Sequence, residues 1–273
     1  MKIVYFGTPE MAVPPLRALV EAEHEVELVV TRVDKKRGRG GALSPSPVKA
    51  AAVELGLAVS HDPDDVLATA AELGVVVAYG RMIKPHLLEA IPMVNGHFSL
   101  LPRWRGAAPV ERALLAGDQV TGVCVMALEE TLDTGGVYAR TEVPIGPSTT
   151  AAELRTTLVQ VCSDLLVDTL SRPLDTWIDD PEPQLGETVY AAKFDKSEFE
   201  IDWTTGADAV HRLIRVGGAW TTFRDKRLKI VAADLVDGVI VPTVVQPEGK
   251  PAMAFADWRN GAQPTRDELF GNL

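Results

Sequence analysis

The chain opens with KIVYFG (2–7), a run apolar at nearly every position and ended by glycine. A stretch of that length with no polar face predicts a fully buried strand. EMAVPPLRALVEA then predicts a helix, EVELVVTRV (25–33) a β-rich strand, and PVKAAAVELG (47–56) a helix closed by Gly56. Next come LAVSH as a short strand, DPDDVLATAAELG as a helix opened by acidic residues, and VVVAYG (75–80) as a buried strand. A helix around 85–90, a strand ending near Asn95 and a helix over 108–115 follow. GVCVMAL (122–128) and GGVYARTEVPI (135–145) predict strands, and residues 151–170 predict a long amphipathic helix.

Strands alternating with helices imply right-handed crossovers and a mainly parallel sheet, so residues 1–171 are expected to form a doubly wound α/β domain. Ligands of such sheets bind beyond the carboxyl ends of the strands, near the point where strand order reverses. The pattern changes after residue 171. RPLDTWIDDPEPQLGET, rich in proline and aspartate, is expected to begin a linker over 172–205. Residues 206–273 hold a short helix and then the short β runs AWTTF, RLKIVAADL and VIVPTVV, which predict a small all-β module, OB-like and reduced from a full barrel.

One predicted strand end carries chemistry. In VNGHFSLLPRWRGAAP (94–109), Asn95 and His97 stand two residues apart on an extended segment and so project to the same side. Gly96 between them is expected to let a substrate approach closely. An imidazole that moves protons needs a partner to set its tautomer, and Asp133 in the turn TLDTGG is the best candidate. Amide, imidazole and carboxylate, with no nucleophilic serine or cysteine beside them, fit direct transfer of a one-carbon or acyl group. The nucleophile would then come from the substrate.

Other motifs fall away. GTPE lacks the later glycines of a dinucleotide fingerprint, and RGRGG lacks the Lys-Ser/Thr ending of a P-loop. SLLP is not a nucleophile elbow. Cys124 and Cys162 are the only cysteines, too few for a disulfide framework or zinc spacing, and no metal site is expected. No apolar run approaches the roughly 20 residues of a membrane span.

Charge adds a partner to this picture. The formal net charge is −11, which argues against indiscriminate nucleic-acid binding, yet two segments are basic. Arg32, Lys35, Lys36, Arg37 and Arg39 face only Asp34, and Arg212, Arg215, Arg224, Lys226, Arg227 and Lys229 face only Asp225. Two basic clusters on an acidic body suit a polyanion gripped at chosen places.

These motifs together carry a resemblance. Asn95-Gly96-His97 with SLLPRWRGAAP and LEETLDTGG closely resembles the 10-formyltetrahydrofolate-dependent formyltransferases. KIVYFGTPE, RGRGGALSPSPVK (37–49), YAAKF (190–194), IDWTTGADAVHRLIR (201–215) and QPEGKPAM (246–253) extend the likeness over nearly the whole chain. Within that family it looks most like the branch whose formyl acceptor is the α-amine of methionyl-initiator tRNA. The resemblance implies a Rossmann-like catalytic domain with Asn95, His97 and Asp133 as the catalytic trio. It implies a folate site lined by Ser99, Leu100, Leu101 and Pro102. It also implies a C-terminal domain that contacts tRNA, with tRNA held at Arg37, Arg39, Lys49, Arg215 and Lys229. The expected substrates are 10-formyltetrahydrofolate and initiator methionyl-tRNA, handled by a cytoplasmic monomer with no membrane or metal partner. An amino-sugar nucleotide is the alternative acceptor, but it would need neither the basic RGRGG loop nor the QPEGK module. The chain departs from the family after the IR helix and between Val236 and Val245, where it is short, as though a hairpin were missing.

Overall fold

The computed structural model describes residues 1–37, 41–265 and 268. The chain folds as two compact units. One comprises Met1–Pro109, Val120–Pro144 and Arg155–Tyr190; the other comprises Val110–Gln119, Ile145–Leu154 and Ala191–Leu273. Residues 172–190, read from the sequence as linker, therefore cluster with the first unit.

The strands run β1 (Lys2–Gly7), β2 (Glu25–Val30), β3 (Lys35–Arg37), β4 (Ala42–Ser44), β5 (Val59–Ser60) and β6 (Leu73–Val77). They continue with β7 (Met93–His97), β8 (Arg105–Gly106), β9 (Val120–Ala127) and β10 (Val137–Pro144). Helices α1 (Val13–Glu21), α2 (Pro47–Glu54), α3 (Pro85–Ala90), α4 (Pro109–Ala116) and α5 (Ala151–Leu170) intervene.

Seven strands form one sheet in the order β10-β9-β7-β6-β1-β2-β5. The pairs β1–β2, β1–β6, β2–β5 and β6–β7 are parallel, while β9 and β10 turn antiparallel at the edge. The mainly parallel sheet predicted from sequence is thus present. Strand order reverses beside β1, where the chain returns to lay down β6 and then β7. The carboxyl end of β7, with Asn95 and His97, stands next to that reversal. The strands are apolar because both faces are covered: Val4, Phe6, Val30, Val76 and Met93 share one buried cluster with Leu87 of α3.

The acidic-headed helix expected over 62–74 is not formed. Pro63–Ala68 makes only a 3-10 turn, opened by the Asp62 side chain accepting from the Asp64 N–H at 3.1 Å. Val66 is its single buried residue, so no apolar stripe favours further turns. The Thr69 hydroxyl donates to the Val66 carbonyl (2.8 Å) and Thr69 is already extended, which ends the turn before β6.

After β11 (Tyr190–Ala191), the C-terminal part of the second unit is built from α6 (Ala207–Val216), β12 (Trp220–Phe223), β13 (Lys226–Val236), β14 (Val239–Pro247), β15 (Met253–Ala254) and α7 (Phe255–Ala262). Its strands make an antiparallel sheet in the order β12-β13-β14-β15. Ile201, Val210, Leu213, Ile214, Leu228, Ile230, Val245 and Trp258 form its core. The sheet is open, with β12 and β15 as its edges, and helices cover it. The module is thus the reduced, sheet-built one the sequence predicts, with four strands in its sheet among the described residues.

Candidate active site

β7 is short and buried between β6 and β9, with Asn95 opposite Val76 on one side and Met126 on the other. Alternation sends Asn95 and His97 to one face of the sheet and Gly96 to the other. A Cβ on Gly96 would sit 2.6 Å from the Cys162 Sγ of α5 and 3.7 Å from Leu166. Gly96 is thus required by the close packing of α5 on the strand, not by the approach of a substrate. The same period-2 rule that pairs Asn95 with His97 excludes Gly96 from their face.

His97 is hydrogen-bonded at one ring nitrogen and faces a carboxylate with the other. Its Nε2 lies 2.9 Å from the Trp104 carbonyl. A carbonyl only accepts, so Nε2 carries the hydrogen and Nδ1 holds the lone pair of the neutral ring. Nδ1 faces Asp133 Oδ2 at 3.7 Å, longer than a hydrogen bond, and the two form an ion pair only when the ring is protonated. The same Oδ2 accepts the Gly106 N–H at 2.7 Å. His97 and Asp133 are both buried, at 5% and 9% exposure. The half-buried Asn95 amide has no hydrogen-bond partner among the described residues.

Backbone strain gathers around this pair. Trp104 (φ 64°) and Asp133 (φ 52°) are non-glycine residues in the left-handed region, and so is Ala78 (φ 46°) just past β6. Each such residue costs on the order of 1–3 kcal/mol and persists where its surroundings dictate it. The turn over residues 78–80 was not singled out from the sequence. Its Tyr79 carbonyl accepts from the Thr8 hydroxyl at 3.0 Å, which ties together the carboxyl ends of β1 and β6. The sign in the sequence was a buried run, VVVAYG, ending beside the strand that carries Asn95.

Among the described residues, no serine or cysteine stands ready as a nucleophile beside the imidazole. The Ser99 hydroxyl donates to the Arg103 carbonyl at 2.6 Å. Cys124, opposite His97 on β9, and Cys162 are buried thiols. Burial raises the proton affinity of Cys124 and pushes Cys162 up to about 12, so neither ionises near neutrality.

The remaining predicted residues divide. Ser99, Leu101 and Pro102 are buried within the 98–106 loop, Leu101 in a cluster with Cys124, Met126 and Val137, while Leu100 is half-buried. Arg37 lies at the end of β3, and Arg39 falls outside the described residues. Lys49 donates to Asp34 at 2.8 and 3.0 Å, at the foot of the β3–β4 hairpin. Arg215 donates to the Gly146 and Thr149 carbonyls at 3.0 and 3.2 Å. Lys229 is exposed on β13. The second basic cluster is thus half committed: Arg212 donates to the Leu115 carbonyl, and Arg224 forms a two-bond pair with Glu268. Lys226, Arg227 and Lys229 face outward, Arg227 lying over the Trp220 ring at 4.0 Å. Gln184, between Asp133 and Arg105, was missed because its segment read as linker.

Known proteins share this architecture. Residues 1–170 match the formyl transferase family, and residues 193–239 match the formyl transferase C-terminal domain. The chain is 42% identical over 303 aligned residues to a methionyl-tRNA formyltransferase of Roseobacter denitrificans, with 99% of each chain covered. Some thirty of those aligned positions therefore have no counterpart in these 273 residues. Among solved structures, a methionyl-tRNA formyltransferase from Clostridium thermocellum matches with a TM-score of 0.62 at 16% identity, covering 90% of this chain and 98% of that one. An N-formyltransferase from Helicobacter canadensis, solved with folinic acid and dTDP-3-aminofucose, gives a TM-score of 0.70 at 16% identity, covering 93% and 98%.

Proposed function

The chain belongs to the formyl transferase family, and from that premise we infer that it moves the formyl group of 10-formyltetrahydrofolate onto the α-amine of methionyl-initiator tRNA. The kinship fixes the group transferred and the acceptor. One structural observation supports the way it is transferred: a buried His97–Asp133 pair with no serine or cysteine free to attack. The formyl group then passes directly between substrates, and no enzyme-bound ester or thioester is made.

In this reading the α-amine, partly unprotonated near neutrality with a pKa of about 8 in model compounds, attacks the formyl carbon. The carbonyl oxygen becomes an oxyanion, which the unpartnered Asn95 amide stabilises together with His97, once its Nδ1 has taken up the proton the amine releases. One such donor contributes about 3 kcal/mol in other acyl-transfer enzymes. The new C–N bond forms and the bond from carbon to N10 breaks. The amine proton moves to N10 through His97 and Asp133, whose Nδ1 and carboxylate face each other. Because Nε2 is tied to the Trp104 carbonyl, the proton is handled on the Nδ1 side of the ring.

The tRNA grip follows from the charge. Arg37, Arg39 and Lys229 with its exposed neighbours contact phosphates, which bind cations without reading sequence. Lys49 and Arg215 anchor the segments that bear them. Ser99, Leu100, Leu101 and Pro102 shape the folate side of the loop. The enzyme acts as a cytoplasmic monomer in translation initiation; among the described residues no helix is long and apolar enough to cross a membrane.

The test is release of tetrahydrofolate from 10-formyltetrahydrofolate with methionyl-initiator tRNA or an amino-sugar nucleotide as acceptor. Release is expected only with the tRNA, at a rate that falls steeply with salt. Turnover with the sugar nucleotide alone would replace this reading.

A further inference from the structure

Asp133 sits at φ 52°, in the left-handed region that aspartate tolerates better than most residues. Its carboxylate end is fixed by the Gly106 N–H; its backbone end is fixed by one side chain from the 181–190 segment. Gln184 Nε2 donates to the Asp133 carbonyl (2.9 Å) and to the Gly135 carbonyl (2.8 Å), spanning Thr134. Gln184 Oε1 accepts from Arg105 Nε (3.0 Å) and a terminal nitrogen of the same guanidinium (2.6 Å). Arg105 lies between Trp104, whose carbonyl orients His97, and Gly106, whose N–H holds Asp133. The bonds close a ring from Asp133 through Gln184 and Arg105 back to the Asp133 carboxylate.

We propose that Gln184 is a positioning residue for Asp133 in the transfer reaction, acting through this ring together with Arg105. The proposal rests on the transfer reaction inferred above. The segment around Gln184 is itself anchored. Val137 and Glu182 exchange two backbone bonds (2.7 and 2.9 Å), and the Arg105 N–H donates to the Val189 carbonyl (2.9 Å). Pro181 packs where a Cβ on Gly136 would stand, 2.7 Å away. Gln184 is half-buried while Pro183 and Leu185 beside it are exposed, so its side chain is the part that points inward. The chemistry is selective. An amide supplies two donors for the two carbonyls and an acceptor for the guanidinium. A carboxylate at this position would keep Arg105 but set an oxygen against both carbonyls, and asparagine is one methylene short.

The experiment is a double-mutant cycle of Gln184→Glu with Asp133→Asn, read by kcat, by KM for tRNA and by amide hydrogen exchange at Gly106. Gln184→Glu alone is expected to lower kcat ten- to hundredfold, since displacing a catalytic group by about 1 Å costs up to that much, with KM within about threefold of wild type. Added to Asp133→Asn, it lowers kcat less than about twofold, because the group it positions is already disabled. Gly106 exchange accelerates at least about tenfold, reporting the Asp133 carboxylate without reference to turnover. Leu185→Ala, on the same segment and 82% exposed, leaves all three readings unchanged. An unchanged kcat in Gln184→Glu, or the same fold loss in both backgrounds, overturns the proposal. Should Gln184→Glu not fold, Arg105→Lys, which loses the two-nitrogen grip on Oε1, takes its place in the cycle under the same criteria. A wild-type protein that does not transfer formyl groups would sink the reaction and not the ring; Gly106 exchange in Gln184→Glu still decides the latter.

Discussion

The loops around His97 and the basic face of β13 use polar residues in opposite ways. Around His97 nearly every polar group is tied to backbone: Nε2 to Trp104, the Ser99 hydroxyl to Arg103, Asp133 Oδ2 to Gly106, and the Gln184 amide to residues 133 and 135. On β13, the exposed side chains of Lys226 and Lys229 have no hydrogen bond to backbone among the described residues, and Arg227 lies over the Trp220 ring. The difference matches the roles proposed for them. Bond making tolerates displacements well below 1 Å, whereas phosphates attract a cation from any direction within a screening length. The same contrast recurs inside the second cluster. Arg212 and Arg215 reach backbone carbonyls, whereas the outward cations have no such partner among the described residues.

That contrast breaks most sharply at the pair itself. His97→Ala or Asp133→Asn is expected to lower turnover by two orders of magnitude or more while far-ultraviolet circular dichroism and melting stay near wild type. Near-normal turnover in either purified variant would remove that residue from the chemistry. Next in size is Gly96→Ala, whose added Cβ meets Cys162; it is expected to cost about 1–3 kcal/mol of stability in urea unfolding. Adding Cys162→Ala should recover part of that loss. If the double variant is no more stable than the single, Gly96 answers to something other than helix packing.

On the basic face, Lys229→Ala should weaken tRNA binding a few-fold and reduce the salt slope of log affinity by about 1, with kcat at saturating tRNA unchanged. Arg215→Ala should instead lower the melting temperature and leave the salt slope alone; a reduced slope would return Arg215 to the phosphate contacts. The smallest effect concerns His211, buried on α6 with Nε2 against the Ala233 carbonyl at 3.2 Å. Burial, and then the nearby Arg215 charge, lowers its proton affinity in the folded state. The unfolded chain therefore binds this proton more readily, so the stabilisation is complete above about pH 6.5 and declines as pH falls below it. His211→Gln, which keeps a donor for Ala233, should flatten that decline in denaturant titrations at pH 8 and pH 5.5. An unchanged slope would assign the pH dependence elsewhere.

Much of this could be read from the chain because it is periodic. β1 and β6 are short apolar runs between turns, and the two-residue spacing of Asn95 and His97 gave their shared face. Gly96 was misread for the opposite reason: a glycine beside reactive residues suggests access, and only the position of Cys162 reveals a helix behind it. The 62–74 segment misled through its acidic head, since a good cap cannot replace a missing apolar stripe. Gln184 was invisible because it lies among prolines and acidic residues, and its role comes from two loops 49 and 79 residues away. Partners at such separations leave no local pattern. Nor did the basic residues announce which would pair internally, since Arg224 meets Glu268 only once the chain has folded.

The central claim is that the formyl group never resides on the protein. Rapid-quench single turnover with formyl-labelled 10-formyltetrahydrofolate, with and without methionyl-initiator tRNA, tests it most directly. The account predicts that label goes straight to the tRNA amine, that none is bound covalently to protein, and that tetrahydrofolate is released only when tRNA is present. Stoichiometric label on the protein, or a burst of tetrahydrofolate without tRNA, would contradict it.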